Sequence, residues 1–338
     1  MTRSPSRAAG AFLLLTAAAQ AQPAQQSLPP ADPRAVFHAL TENDSYNVSN
    51  PRTDRWYTNG IRLHWQSAEN NLPDFMLGLD RALTNLLGPA NSRWGLGIGQ
   101  EIFTPVNKRL SNPDPRDRPY AGYLHANLTL DRRNWTTLDR VEVQAGVVGP
   151  SSFGRQAQDS VHDILGDRRP RGWRYELRDE PVFNVNLERI WRLPVARLPG
   201  GLGVDALPSV GTQLGTVRVA ASVAARLRIG QGLDRDFGVP RIRSALADAP
   251  APVGEGFGWY LFGGVGGNAV AHDIFLDGNT YRNSRSVDVR PLTGEAEAGA
   301  AVFWRNVRLS YTQVWRSKDF MTQPKPFAFG AFSLSLAF

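Results

Sequence analysis

Hydrophobic and polar residues alternate with a period of two along most of the chain. In residues 58–66 one face carries Ile61, Leu63 and Trp65, and the other carries Thr58, Arg62, His64 and Gln66. The same period recurs in residues 120–131, 182–188 and 307–312. Such alternation predicts β-strands with one apolar and one wet face, which soluble sandwiches and membrane barrels share.

The end of the chain favours a membrane barrel. The last ten residues, FGAFSLSLAF, alternate Phe and Leu with Ala and Ser and end on Phe338. This ending is similar to the terminal strand of outer-membrane barrels, which the barrel assembly machinery recognises. About twelve alternating segments are present, and a single-chain bacterial barrel needs an even number. They lie near residues 36–44, 58–67, 94–105, 120–132, 139–149, 180–193, 203–214, 216–229, 258–271, 287–304, 307–317 and 328–338.

The N-terminus has the features of an export signal. Arg3 and Arg7 precede the apolar run AGAFLLLTAAA, and Ala19-Gln20-Ala21 has the form of a signal-peptidase site. We therefore predict a signal peptide over residues 1–21, a linker over 22–34, and a barrel over 35–338. The fold class is all-β, a transmembrane antiparallel β-barrel of about 12 strands with a short helix in an extracellular loop.

Composition removes several function classes. The chain has no cysteine, which excludes disulfides, thiolate chemistry and cysteine-based zinc sites. Its formal net charge is +7, and it stays positive when the two signal-peptide arginines are removed. A basic exported protein suits anionic lipid headgroups, so nucleic acid is not an expected partner.

The polar residues of greatest interest map to one end of the predicted barrel. If the N-terminus starts on the periplasmic side, each connection from an odd strand to the next even strand lies outside the cell. Asp44, Thr58, the Lys108-Arg109 pair and His162 then all lie at the extracellular rim, with His162 on a predicted helix over 156–165. An imidazole takes up a proton near neutral pH, and carboxylate, amide and hydroxyl oxygens are ligands that calcium accepts.

A second helix is predicted at the other end. The segment LPDFMLGLDRALTNLL, residues 72–87, follows the second strand and has helical spacing of its apolar positions, namely Phe75, Leu79, Leu83 and Leu86. We interpret it as a periplasmic amphipathic helix whose apolar stripe packs against the protein and binds no cofactor.

Several motifs together resemble a known family. They are END at 42–44, TDRWYTNGIRL, NKR, DRPYAGYLH, GPSSFGRQAQDSVHDILG and GWRYELRDEP. Their combination is similar to the outer-membrane lipid A 3'-O-deacylases of the LpxR type and covers the whole mature chain. The resemblance implies a twelve-stranded barrel that removes ester-linked acyl chains from the 3' position of lipid A, depends on calcium, and works similarly to secreted phospholipase A2.

The resemblance also implies residue roles. His162 would be the catalytic histidine, with Asn43 and Asp44 as further catalytic residues. Calcium would be held by Asp44, Asn43 and Thr58, and Lys108 with Arg109 would hold a lipid A phosphate. One position departs from the pattern. In the family an acidic residue comes shortly after the Ile-Gly step that follows the histidine, and this chain has Asp167 followed by Arg168 in that region.

Two alternatives remain open. The chain has no Gly-x-Ser-x-Gly elbow, so a water activated by histidine is the simplest nucleophile for ester hydrolysis. A serine esterase would have to use Ser151 or Ser152. A non-catalytic barrel, either a small channel or a structural protein, would use the rim residues only to hydrate its loops.

Overall fold

A computed structural model describes residues 27–48, 55–242 and 256–338. The predicted signal peptide lies outside these residues, and the predicted linker is described only from Ser27 onward. Within the described part of the chain, no helix is long and apolar enough to cross a membrane.

The strands form a closed antiparallel barrel. β1 pairs with both β2 and β13, and β6 pairs with both β5 and β8, so twelve strands close into a ring. The predicted number of strands is therefore confirmed. The strands are β1 (Val36–Asn43), β2 (Trp56–Gln66), β3 (Asn91–Thr104), β4 (Ala121–Arg133), β5 (Thr137–Val148), β6 (Glu180–Trp191), β7 (Leu193–Leu198), β8 (Leu202–Gly215), β9 (Arg218–Gln231), β10 (Phe257–Asp273), β11 (Leu292–Trp304), β12 (Val307–Arg316) and β13 (Phe327–Ala337).

Strand β7 is the one strand of the described chain that stands outside the ring. It pairs only with β8, and all six of its residues are exposed. The sequence pattern missed it because the segment is short, contains Pro194 and has no buried face. The predicted strand over 287–304 was also too long at its start, since β11 begins at Leu292.

The two faces of the wall match the predicted alternation. In β2, Arg62 and His64 are buried inside the barrel, whereas Ile61 and Leu63 are 45% and 41% exposed on the outside. In β13 the serines face inward and Phe332 faces outward. The outer surface is thus the apolar band that a lipid environment requires.

The lumen is filled by protein. The segment 233–242, which follows β9, enters it and places Arg241 against Glu42 at 2.6 Å and Glu297 at 3.0 Å. Asp236 of the same segment forms ion pairs with Arg228 and Arg308. Next to this polar layer, at the end of β10, lies an apolar cluster that includes Ile274, Phe275 and Leu276. This filling weighs against the open-channel alternative.

The ring has two distinct rims. The terminal rim contains the start of β1 and the end of β13, which pair from Val36 to Ala337. It also carries helix α1 (Asp74–Leu87). The opposite rim, here called the loop rim, carries the connections β1–β2, β3–β4, β5–β6, β8–β9, β10–β11 and β12–β13. It holds α2 (Gly154–Leu165) and α3 (Ile274–Asp277), and α2 confirms the helix predicted around His162.

Candidate active site at the loop rim

Three buried side chains, those of Asp44, Thr58 and Thr104, lie at the ends of β1, β2 and β3 that meet at the loop rim. Asn43 pairs with Asn59, so Asp44 stands opposite Thr58 across the first hairpin. Thr58 occupies a β-bulge, and its hydroxyl lies 2.7 Å from that of Thr104, the last residue of β3. All three are buried inside the wall. The strand ends therefore bring together a row of oxygen atoms at the rim of the barrel wall.

Asn43 points away from this row. Its amide oxygen accepts hydrogen bonds from the backbone N–H and hydroxyl of Ser45, at 2.8 and 2.5 Å. Its amide nitrogen donates to the side chain of Asn59 at 3.1 Å. The amide thus caps the short helical turn Asp44–Tyr46 and fixes the position of Asp44.

Lys108 is the point at which three loops meet. It lies in the β3–β4 connection, and its charge interacts with the carboxylates of Asp44 in the β1–β2 loop and Asp167 in the β5–β6 loop. In addition, the backbone N–H of Arg171 donates to the Lys108 carbonyl at 2.9 Å. The neighbouring Arg109 is exposed.

Burial changes the charge behaviour of this cluster. The Asp44 carboxyl is 2% exposed, and its burial raises its pKa well above the ordinary value, although the Arg55 backbone N–H at 2.6 Å and the charges of Lys108 and Arg55 oppose this. Burial also lowers the pKa of Lys108 to about 8, against the opposing effect of Asp44 and Asp167. A further cation beside Asp44 would stabilise its ionised form.

His162 lies in the last turn of α2 and is held by the turn that follows. Gly166 adopts a left-handed φ of 71°, which reverses the chain after the helix. The backbone N–H of Asp167 then donates to the His162 carbonyl at 2.8 Å, and the Arg168 carbonyl lies 2.9 Å from His162 Nδ1. Since a carbonyl only accepts, this contact places the proton on Nδ1 and leaves Nε2 as the basic nitrogen.

The departure at Asp167 and Arg168 now has a structural account. The main-chain carbonyl of Arg168 orients the imidazole, which is a role that needs no acidic side chain. Asp167 instead interacts with Lys108. Sequence reasoning missed both contacts and also missed Thr104. The one available signal was that Thr104 places a hydroxyl on the face of β3 that also carries Leu96 and Ile98.

The residues present fit an oxygen-ligated cation in their chemistry. In the described residues, no three side chains among His, Asp and Glu come together as a metal-binding group. A cation here would instead have one carboxylate, Asp44, with the hydroxyls of Thr58 and Thr104 and main-chain carbonyls. Such neutral oxygen ligands are acceptable to calcium, whereas zinc favours nitrogen and sulfur.

The serine alternative finds little support. Ser152 is fully buried, and its hydroxyl donates to the Gly149 carbonyl at 2.6 Å. The Ser151 hydroxyl donates to Asp179 at 2.9 Å. A serine nucleophile needs a base that accepts its proton, and the serine itself must reach the substrate. Ser152 cannot reach a substrate, because it lies beneath the start of α2.

The fold and this cluster define a class of protein: a closed, lumen-filled outer-membrane β-barrel with a polar site at one rim. The family model described as "Outer membrane protein LpxR" matches residues 9–338, and the chain belongs to this family. It is therefore an outer-membrane protein. No curated protein matches the chain.

The chain is similar to several solved structures, one of which shares its fold. LpxR from Salmonella typhimurium shares 18% identity over 90% of this chain and 100% of its own, with a TM-score of 0.73. The translocator domain of autotransporter NalP from Neisseria meningitidis has 11% identity and a TM-score of 0.36, over 90% of this chain and 88% of its own. The first likeness establishes the barrel architecture.

Proposed function

We propose that the protein is a calcium-dependent lipid A 3'-O-deacylase that acts at the extracellular rim on lipid A of the outer leaflet. Membership of the LpxR family supports lipid A as the substrate class. The orientation of His162 by the Arg168 carbonyl is the single observation that carries the chemistry. It leaves a basic nitrogen beside the loop rim, and ester hydrolysis requires such a base.

His162 removes a proton from water through Nε2, and the resulting hydroxide attacks the ester carbonyl. The imidazolium that forms is stabilised at Nδ1 by its hydrogen bond to the Arg168 carbonyl. The same proton is then available for the leaving 3' hydroxyl oxygen. The Arg168 carbonyl therefore orients the imidazole, a role that a carboxylate has in many hydrolytic sites.

Asp44, Thr58 and Lys108 supply the polar environment of the reacting carbonyl. Asp44 and Thr58 would hold calcium, with Asn43 supporting them, and the bound ion would supply a positive charge that polarises the ester carbonyl. The ammonium of Lys108 adds positive charge at the same rim, and with Arg109 it holds a phosphate of lipid A. Asn43 acts by capping the turn that positions Asp44.

The helix surface around His162 suits an acyl substrate. Val161 and Ile164, which flank the histidine on α2, are 50% and 84% exposed. Exposed apolar side chains beside a catalytic group suit contact with the acyl chain of a lipid. We place the acyl chain of lipid A along these two residues.

Mass spectrometry of lipid A tests the proposal. Cells that express the wild-type chain should contain lipid A that has lost its 3'-linked acyl mass, and cells with His162→Gln should not. Both barrels should reach the outer membrane in equal amounts. Unchanged lipid A in both strains, also with purified protein, calcium and detergent-dispersed lipid A, would favour the non-catalytic barrel.

A further inference from the structure

Helix α1 at the terminal rim is fastened to the barrel by its polar side. Asp80 accepts hydrogen bonds from Arg132 at 2.9 Å and from Ser92 at 2.6 Å. Thr84, one turn further on, accepts from Arg132 at 2.7 Å. Met76 is buried on the same side of the helix. The side of α1 that faces the protein is thus held by hydrogen bonds and an ion pair.

The predicted apolar stripe faces away from the protein. Phe75 is 69% exposed, Leu79 42% and Leu86 78%. These residues lie four and seven positions apart and therefore share one side of the helix. The expectation that this stripe packs against the protein was wrong, because Asp80 and Thr84 occupy the protein-facing side instead.

A third side of α1 is polar and exposed, and it carries Asp74, Arg81 and Asn85. Successive residues are about 100° apart around a helix, which separates this side from both the apolar stripe and the barrel-facing side. One side of the helix thus contacts protein, one faces water, and one is apolar and not covered by any other part of the chain that the structure describes. This is the surface pattern of a helix lying in a membrane interface.

The apolar side continues the lipid-facing surface of the barrel. Trp65, near the end of β2, and Trp94, near the start of β3, are in edge-to-face contact with ring centroids 5.2 Å apart. Tryptophan rings on the outside of a barrel mark the boundary between hydrocarbon and water. Helix α1 connects these two strands, and its Asp80 accepts a hydrogen bond from Ser92, two residues before Trp94, which places the helix beside this aromatic boundary.

We propose that α1 is an interfacial helix, with Phe75, Leu79 and Leu86 inserted among the phospholipids of the leaflet at the terminal rim. The occupant is the lipid leaflet that already surrounds the barrel wall. This contact anchors the end of the barrel opposite the candidate active site, and it does not depend on the proposed enzymatic activity.

The absence of cysteine makes a direct test simple. Leu86→Cys and the matched control Asn85→Cys place a single thiol on the apolar and polar exposed sides of α1. Each variant is labelled with the environment-sensitive fluorophore NBD. The full barrel is then reconstituted into phosphatidylethanolamine and phosphatidylglycerol vesicles, with or without brominated acyl chains. Different electrophoretic mobility before and after boiling verifies that each barrel is folded.

The probe at residue 86 should emit at shorter wavelength and lose most of its emission in brominated vesicles, whereas the probe at residue 85 should emit as in water. Equal, water-like emission from both probes would overturn the proposal. So would a blue-shifted but unquenched probe at residue 86 whose emission depends on the protein-to-lipid ratio, because a second protein copy would then cover the stripe.

Discussion

His162 Nδ1 lies 2.9 Å from the main-chain carbonyl oxygen of Arg168, six residues further along the chain. A carbonyl oxygen can only accept a hydrogen bond, so this contact selects the imidazole form with the proton on Nδ1. The nitrogen that would act as the base in the proposed mechanism is therefore specified by backbone geometry. A side-chain substitution at residue 168 should leave the hydrogen bond to Nδ1 in place, whereas a change in the turn at Gly166 should disturb this hydrogen bond.

Replacement of His162 by Asn or Gln should abolish catalysis and preserve the fold. The side chain lies on a loop helix outside the strand ladder, and loss of a general base typically costs at least ~100-fold in rate. Initial rates of acyl release by purified barrels measure the effect. Asp163→Asn, on the same helix turn, is the control and should retain activity; comparable loss in the control would point to damage to α2.

Gly166→Ala should lower activity by shifting the turn. A residue with a side chain at φ 71° is strained by roughly 1–2 kcal/mol, and relief of the strain moves the Arg168 carbonyl away from Nδ1. Gly166→Asn should retain more activity, because Asn tolerates the left-handed conformation. Nitrogen chemical shifts of the imidazole report the tautomer independently of turnover. Full activity and an unchanged tautomer in Gly166→Ala would contradict the positioning role of the turn.

The pH profile of activity should reflect the interacting charges of the buried Asp44 and the partly buried Lys108. The raised pKa of Asp44 means that its carboxylate, the form able to bind a cation, is gained only as pH rises. The pKa of Lys108, lowered to about 8, means that its positive charge is lost as pH rises through that value. Activity should therefore fall on both sides of a maximum.

Lys108→Arg separates the basic side of this profile from other causes. Arginine stays charged throughout, so activity that depends on the charge should persist above pH ~8 in this variant. Lys108→Met should lose activity at every pH. An unchanged alkaline decline in Lys108→Arg would assign it to another group.

Calcium should be required for turnover. A chelator should abolish deacylation and added calcium should restore it, whereas magnesium should restore it poorly because it demands tighter octahedral geometry. Asp44→Asn should raise the calcium concentration needed, and so should Thr58→Val, which removes a hydroxyl that contacts Thr104. Full turnover in excess chelator, with Asp44→Asn still inactive, would remove the metal role and keep Asp44 as a catalytic group.

The purified mature chain should begin at Gln22, because the predicted cleavage follows Ala21. N-terminal sequencing of protein from outer membranes measures this directly. A chain that starts at Met1 in the same fraction would contradict the predicted signal peptide.

The sequence by itself determined the wall of the barrel. Side chains of a strand alternate strictly between two faces, so the positions of Ile61 against Arg62 and of Phe332 against Ser333 follow from local order alone. Local periodicity also determined the count of strands and the helix around His162. That count in turn groups Asp44, Thr58, Lys108 and His162 at one rim, because the connections after odd and even strands of a closed ring lie at opposite ends.

Tertiary structure decided what the side chains touch. The carbonyl of Arg168 reaches His162 only because Gly166 turns the chain back, and Lys108 meets Asp44 and Asp167 only because three loops converge. The outward direction of the α1 stripe likewise depends on Arg132, which is distant in sequence and binds Asp80. Periodicity records whether a residue faces an apolar or a wet environment, but these contacts depend on loop closure and on partners far along the chain, which no local pattern contains.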